Sequence, residues 1–228
     1  MLPDLPKYKG WRHQMCQRLR QERGITDEAL LAAMEKLPRH WFCTETLLDN
    51  LLYDIDRAIK IDCDQTISAP ATVALQSQLL EVQPGMKVME VGTGSGYQTA
   101  ILCEMEARVY TIERQSVLFV KTRKLLSSLG YTAKCFLGDG YQGITEVDYG
   151  PYDRVIITCG APYIPEKVMA QLKVGGIMVI PVGDEKGQKM YRIYKDGEEP
   201  HQWRQECHGD AMFVPMLPGR EFHIEKKV

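Results

Sequence analysis

The sequence predicts an α/β fold, a mostly parallel sheet of seven strands that ends in an antiparallel hairpin and is preceded by a helical extension. Three observations support this prediction. Short apolar runs alternate with segments of helical periodicity between residues 73 and 180. Strand-like runs then follow one another without a helix between them, which indicates antiparallel pairing. A turn with glycines at 92, 94 and 96 joins the first strand of the alternation to its helix.

Composition is that of a soluble globular protein. Hydrophobic residues make up 44% of the 228 residues and the net charge is −2, so no basic field favours a nucleic-acid partner. No apolar run has the length of a membrane span, and the N-terminus lacks a signal-peptide pattern. We therefore expect a cytoplasmic protein without a membrane partner. The seven cysteines are scattered and no His-Glu-x-x-His motif occurs, so we expect no metal site.

The first 64 residues are predicted to form a helical extension that packs on a core of residues 65–228. Helical periodicity covers residues 11–37, where Thr26 is expected to cap a helix with an acidic first turn and Pro38 to end it. Leucines at positions 47, 48, 51 and 52 suggest a further short helix.

A compact polar segment, Gln-Thr-Ile-Ser-Ala-Pro at residues 65–70, precedes an apolar helical pattern. Proline suits the first position of a helix, so Ser68 and Ala69 are expected at or just before a helix N-terminus. Judged from these residues alone, a helix cap is the favoured role for Ser68, and a catalytic role is the alternative.

The glycine-rich turn has two interpretations. Glycine can take positive φ and let a ligand approach the backbone, but such a turn can also be only a tight connection. A dinucleotide fingerprint, Gly-x-Gly-x-x-Gly, needs its third glycine at position 97, where this chain has Tyr97. The spacing therefore favours a ligand without a diphosphate, such as an adenosyl amino acid.

Two acidic residues follow at the ends of the next two predicted strands. Glu113 ends the strand 108–113, 21 residues after Gly92, where a carboxylate can accept hydrogen bonds from ribose hydroxyls. Asp139 follows the strand 133–137 and can accept a hydrogen bond from an adenine amino group. The alternative for Glu113 is a solvated position at the start of the next helix, and the alternative for Asp139 is a turn without a ligand contact.

The remaining strands are predicted from four further runs. The nearly continuous apolar run 154–158 is typical of a strand that is buried on both faces. Two more strands are predicted at residues 177–180 and 190–195, and residues 211–215 are expected to form the seventh.

With these residues in view, the chain resembles the protein-L-isoaspartate O-methyltransferases, a family of class I S-adenosylmethionine-dependent methyltransferases, over roughly residues 24–214. The matching segments are 64–70, 88–98, 138–140, 152–158, 171–176 and 180–183. Many methyltransferases share the glycine loop, whereas Thr-Ile-Ser-Ala-Pro about 20 residues before it is far more selective. The resemblance implies a Rossmann-like methyltransferase fold.

The resemblance also implies a role for individual residues. Contacts with S-adenosylmethionine are implied for Gln65, Thr66, Ile67, Ser68, Gly92, Gly94, Ser95, Glu113, Asp139, Gly140 and Gln188. Substrate contacts are implied for Ser68, Ala161, Pro162, Pro181, Val182 and Gly183. Ser68 matches the residue usually marked as the active site. Two departures affect the substrate groove: Ala71 and Thr72 stand where several relatives carry histidines, and Cys159 replaces a small, alanine-like residue.

The implied reaction transfers a methyl group from S-adenosylmethionine to the free α-carboxyl of L-isoaspartyl residues in damaged proteins and peptides, which begins their repair and leaves S-adenosyl-L-homocysteine. A carboxylate is already a nucleophile at neutral pH, so neither a general base nor a metal is required. Alignment of the reacting groups can lower such a barrier by about 7 to 11 kcal/mol. Ser68 is then interpreted as a hydrogen-bond donor that orients the carboxylate.

Three alternatives stay open at this point. One is a methyltransferase acting on another carboxylate or a small molecule. Another is a nicotinamide-dependent oxidoreductase, which Tyr97 disfavours. The third is a catalytically silent methyltransferase-like binding module, which would be expected to lack Ser68, Glu113 or Asp139, all of which are present.

Overall fold

The structure is a computed structural model that describes residues 3–43, 51–146, 148–184, 186–199 and 201–222. In this part of the chain the helices are α1 Pro6–Arg23, α2 Glu28–Lys36, α3 Pro70–Leu80, α4 Tyr97–Glu104, α5 Ser116–Ser128 and α6 Glu166–Ala170. The strands are β1 Ile59–Lys60, β2 Thr66–Ile67, β3 Lys87–Val91, β4 Arg108–Glu113, β5 Lys134–Leu137, β6 Tyr152–Ile157, β7 Leu172–Asp184, β8 Gly187–Lys195 and β9 Trp203–Ala211.

Seven of these strands form one sheet in the order β5-β4-β3-β6-β7-β8-β9. The pairings among β3, β4, β5, β6 and β7 are parallel, and those of β8 with β7 and with β9 are antiparallel. The predicted fold class and C-terminal hairpin are therefore confirmed. The strand order reverses at β3, with β4 and β5 on one side and β6 on the other. In such a sheet the carboxyl ends of the strands on either side of the reversal border a ligand crevice.

Apolar side chains of β3 alternate between the two faces of the sheet. Val88 belongs to one apolar cluster and Met89 to the other, and both are fully buried. The cluster of Val88 also contains Leu19 of α1 and Leu30 of α2. The helical extension therefore packs on the sheet through a shared apolar core. The boundary at residue 64 stays a prediction.

The extension differs from its prediction in detail. Helical structure begins at Pro6, earlier than expected, and is divided into α1 and α2. The prediction that Thr26 caps the second helix was wrong, because the Asp27 side chain accepts the N–H of Leu30 at 3.0 Å. The backbone N–H of Thr26 instead donates to Gln78 Oε1 at 2.7 Å. The short carboxylate of Asp27, one residue later, is the better-placed acceptor.

The other predicted helix in the extension falls partly on residues outside those described. Leu47 and Leu48 lie among residues 44–50, which the structure does not describe. Residues 51–53 form a 3-10 turn.

The seventh strand was predicted at the wrong place. It is β9, which pairs with β8 at the edge of the sheet, and residues 212–214 lie beyond it. Most side chains of β9 are exposed, so this edge strand lacks the apolar alternation that reveals strands in a sequence. The apolar run that follows β9 leaves the sheet. Within the described ranges, no helix combines the length and apolar character needed to cross a membrane.

Candidate active site

A cleft lies beside the carboxyl ends of β3, β4 and β6. Among its lining residues, those predicted from the sequence are Gln65, Thr66, Ile67, Ser68, Gly92, Gly94, Ser95, Glu113 and Gly140. They come from four separate segments of the chain, which the sheet topology brings together at one edge.

The glycine loop presents backbone to this cleft. Gly92 has φ +99°, and a Cβ there would overlap Thr158 Oγ1. That hydroxyl donates to the Gly92 carbonyl at 2.6 Å, so the loop is held against the end of β6. At the start of α4, Gly96 has φ +85°, and a Cβ would lie 2.7 Å from Thr122 Cγ2. Glycine is thus required at both positions by conformation and by space.

Glu113 is buried at the end of β4, next to the glycine loop. Its carboxylate accepts the backbone N–H of Gly94 and that of Gln115, both at 2.9 Å. Burial raises the pKa of Glu113, and the backbone N–H groups oppose that shift. A carboxylate has about four lone-pair positions, so the two bonds leave capacity for hydroxyl donors from a ligand.

Asp139 does not line the cleft, although the next residue does. Its side chain accepts the N–H of Tyr141 at 2.9 Å and caps a short 3-10 turn. A Cβ on Gly140 would lie 2.6 Å from Val91 Cγ1, so this turn packs closely on the end of β3. The geometry shows a structural role for Asp139, and its predicted contact with adenine stays a prediction.

The 65–68 segment forms the opposite wall. Strand β2 pairs with β1 in a two-stranded ribbon, and the N–H of Ile61 donates to the Gln65 carbonyl at 2.8 Å. The N-cap of α3 is Ala69, one residue after Ser68. Within the described ranges the Ser68 hydroxyl forms no hydrogen bond, so the helix-cap interpretation is not supported by the geometry. This hydroxyl is available to a ligand.

A second cavity, of about 370 Å³, adjoins the predicted substrate loops. Its lining includes Pro162 and Gly183. The two loops are joined through their backbones: the N–H of Ala161 donates to Pro181 at 3.0 Å, and the N–H of Gly183 donates to Ala161 at 2.9 Å. Ala161 also forms an isolated parallel bridge with Val182 and is fully buried. The backbone bonds therefore fix the shape of this groove.

Gln188 lies in the lining of that second cavity and outside the cleft of the glycine loop. Its amide nitrogen donates to the Phe213 carbonyl at 3.1 Å, and its amide oxygen accepts the Phe213 N–H at 2.9 Å. Because both polar ends of the side chain are engaged, the geometry does not favour the predicted cofactor contact, which stays a prediction.

Sequence reasoning missed one wall of the cleft, a C-terminal strap formed by residues 214–217. Gly160 donates to the Val214 carbonyl and accepts the N–H of Met216, both at 2.8 Å. Further along, Arg114 forms an ion pair with Glu221 at 2.6 Å. Residues 211–215 carry no signal that separates a strap from an edge strand, since proline is tolerated at sheet edges.

Cys159 lines the cleft beside the glycine loop and is not in the lining of the second cavity, so its predicted effect on the substrate groove stays a prediction. Burial raises the pKa of its thiol to about 12, so the sulfur is a neutral thiol at neutral pH and a poor nucleophile. Within the described residues, no group of three or more His, Cys, Asp or Glu side chains is arranged to hold a metal ion.

Comparison with known proteins assigns the family. The family model for protein-L-isoaspartate(D-aspartate) O-methyltransferase matches residues 11–221. The chain belongs to this family. The protein-L-isoaspartate O-methyltransferase of Cytophaga hutchinsonii is 50% identical over 210 residues, which is 92% of each chain. That of Flavobacterium psychrophilum is 48% identical over 217 residues, covering 95% of this chain and 98% of the relative.

Solved structures of this family share the fold. One protein-L-isoaspartate O-methyltransferase has a TM-score of 0.78 at 25% identity, covering 90% of this chain, which spans 65% of the length of that structure. A Plasmodium falciparum protein described as a candidate member, in complex with S-adenosyl-L-homocysteine, has a TM-score of 0.75 at 24% identity and covers 90% of this chain and 98% of its own. The Rossmann-like methyltransferase fold is thereby confirmed.

Proposed function

We propose that this protein transfers a methyl group from S-adenosylmethionine to the free α-carboxyl of L-isoaspartyl residues in damaged proteins and peptides, initiating their repair. The observation that carries the proposal is the shared cleft: the selective 65–68 segment faces the same space as the glycine loop and Glu113. The family match over residues 11–221 supports the same reaction.

The residues present fit S-adenosylmethionine. Bare backbone at Gly92 and Gly94, together with Ser95, would hold its methionine part, and the buried carboxylate of Glu113 would accept its ribose hydroxyls. The turn of Asp139 and Gly140 would border the adenine, as the third strand of such a sheet also ends at the crevice. When bound, this cofactor supplies a methyl group already activated on a sulfonium sulfur.

The protein itself supplies position and a dry environment. Gln65, Thr66 and Ile67 would cover the cofactor from the side opposite the glycine loop, and the strap would close a third side. Excluding water strengthens the hydrogen bonds that hold the two reactants, and correct alignment lowers the barrier without a base or a metal.

Ser68 would orient the acceptor. Its hydroxyl has no partner within the described ranges, and it can donate a hydrogen bond to one carboxylate oxygen while the other attacks. The attacking group belongs to the substrate, so Ser68 is a hydrogen-bond donor and forms no covalent intermediate.

The adjoining cavity would receive the peptide. Pro162 and Gly183 line it, and Ala161, Pro181 and Val182, which are not in its lining, join the two loops through backbone contacts. The peptide would lie against these two loops, whose backbone bonds hold them in place. The cytoplasmic location and the lack of nucleic-acid or membrane partners stay predictions.

A paired peptide assay tests this function. Purified protein and labelled S-adenosylmethionine are incubated with an isoaspartyl peptide and, separately, with the same peptide containing normal aspartate. We expect label in the isoaspartyl peptide alone. Equal labelling of both peptides would reject the isoaspartyl assignment, and labelling of neither, with transfer to small carboxylates, would favour the broader methyltransferase alternative.

A further inference from the structure

Arg39 is a fully buried arginine that contacts residues of both walls of the cleft from the protein interior. It lies in a 3-10 turn of the helical extension and is 0% exposed. Its Nε donates to the Leu52 carbonyl and one terminal nitrogen donates to the Ser68 carbonyl, both at 2.7 Å. The guanidinium carbon lies 4.9 Å from the ring centre of Tyr97.

These contacts connect residues that face the cleft. Ser68 and Tyr97 both line the cleft, Ser68 on the acceptor wall and Tyr97 at the start of the helix that follows the glycine loop. The planar guanidinium can form two directed hydrogen bonds and stack on a ring at the same time, which a lysine ammonium cannot do.

Among the described residues, no acidic side chain compensates the charge of Arg39. Within the described residues no carboxylate lies within 4 Å of its guanidinium, and its second terminal nitrogen has no hydrogen-bond partner. Burying an unpaired charge is costly, so a buried arginine whose bonds all go to backbone and ring is an unusual packing choice. One of those bonds goes to the backbone of Ser68, the residue proposed to orient the acceptor.

We propose that Arg39 is a positioning residue for methyl transfer, which sets the backbone of Ser68 relative to the cofactor loop through the Ser68 carbonyl and the Tyr97 ring. The inference rests on the proposed function of Ser68. It adds a role for the helical extension, which thereby helps to build the acceptor wall.

The test replaces Arg39 by lysine, which keeps the charge and loses the two-point geometry. We expect kcat/KM for an isoaspartyl peptide to fall at least about tenfold, since small misplacements of reacting groups are costly. The dissociation constant of S-adenosyl-L-homocysteine, measured by calorimetry, is expected to change less than about threefold. Arg39→Gln is the second variant, to be used if Arg39→Lys does not fold, because it removes the buried charge together with its desolvation cost. We expect the same loss of kcat/KM in Arg39→Gln.

Arg12→Lys is the matched control. Arg12 is also buried in the extension, at 3% exposure, but its bonds go to Asp4 at 2.7 and 2.9 Å and to the Glu35 carbonyl at 2.8 Å, all within the extension. This variant should lose stability while kcat/KM stays within about threefold of the wild type. Two results would overturn the proposal. One is an equal loss of activity in Arg39→Lys and Arg12→Lys, and the other is a loss of cofactor affinity that accompanies the loss of activity in Arg39→Lys.

Two further measurements separate positioning from general destabilisation. In a Ser68→Ala background, Arg39→Lys should reduce kcat by less than about twofold, because the hydroxyl that Arg39 positions is gone. If Arg39→Lys reduces kcat as much in this background as in the wild type, the proposal is contradicted. Hydrogen exchange of backbone amides in residues 66–73 should accelerate in Arg39→Lys and not in Arg12→Lys. Should the wild type fail to methylate the isoaspartyl peptide, the proposed function fails, while the exchange comparison still decides whether Arg39 holds this segment.

Discussion

The two walls of the cleft are built in different ways. The cofactor wall is local: Gly92 follows β3 directly, and its N–H donates to Ile112 of the neighbouring strand at 2.9 Å. The acceptor wall rests on a two-residue strand and is held by Arg39, 29 residues earlier in the chain. Backbone geometry shapes the first wall, and side chains of the helical extension support the second.

This difference separates binding from turnover. Changes in the glycine loop alter the surface that meets the cofactor, so they should act on cofactor affinity. A change at Ser68 or Arg39 leaves the glycine loop intact and alters the group that orients the carboxylate, so it should act on kcat. Substitutions at Ser68 and Gly92 test this division, and Glu90, which lines neither wall, is the comparison. They follow in decreasing order of their expected effect on activity.

Ser68→Ala should have the largest effect. Removing one preorganised hydrogen-bond donor from a reacting centre typically costs about 10²- to 10³-fold in turnover. We expect a loss of that order in kcat with isoaspartyl peptide, and less than about threefold in cofactor affinity by calorimetry. Ser95→Ala, on the cofactor wall, is the comparison and should affect affinity more than kcat. Loss of cofactor binding in Ser68→Ala, with turnover per bound cofactor unchanged, would move Ser68 to the cofactor wall.

Gly92→Ala should weaken cofactor binding by at least about tenfold, while kcat at saturating cofactor falls less. An alanine at φ +99° is strained, typically by about 1–3 kcal/mol, and its Cβ would overlap Thr158 Oγ1. Gly85→Ala is the matched control, because Gly85 has φ +80° but a Cβ there would meet no atom within 4 Å beyond its chain neighbours.

This control separates the effect of backbone strain from the effect of a steric clash. Gly85→Ala should lower the melting temperature slightly and leave cofactor affinity unchanged, since Gly85 is exposed in a turn before β3. Unchanged affinity in Gly92→Ala would show that the loop does not meet the cofactor closely.

Glu90→Gln should have the smallest effect on activity, under about threefold, and a clear effect on stability. Glu90 is fully buried in β3, where it accepts the hydroxyl of Thr99 from α4 at 2.5 Å. Burial raises the pKa of Glu90 from 4.5 to about 8. Between pH 4.5 and about 8 the Glu90 carboxyl is ionised in the unfolded chain and protonated in the folded protein, so rising pH favours unfolding.

The stability contributed by protonated Glu90 is therefore complete below pH 4.5 and lost as the pH rises toward about 8. The free energy of unfolding of the wild type, relative to Glu90→Gln, should fall by up to about 1.4 kcal/mol per pH unit in this window. Denaturant unfolding of both proteins from pH 5 to pH 8 measures the difference, and parallel curves would show that Glu90 has an ordinary pKa.

Features with local causes were predictable from the sequence. Parallel strands buried on both faces appear as apolar runs, and Gly92 and Gly96 appear as glycines because the chain needs positive φ there. Glu113 was found because strand ends in this sheet face the crevice, and the structure places it on the cleft. The family match confirmed the resemblance that began from the 64–70 motif.

Only the tertiary structure decided where distant segments meet. The apolar run near Pro215 looked like a strand, yet it crosses the cleft as a strap, because the exposed edge position of the sheet is taken by the polar β9. Arg39 gave no functional signal, since a lysine or arginine in a sequence is expected at the surface. Its role depends on burial beside Ser68 and Tyr97. Periodicity and glycine spacing report conformation within a few residues, whereas such contacts follow from how the packed elements bring remote residues together.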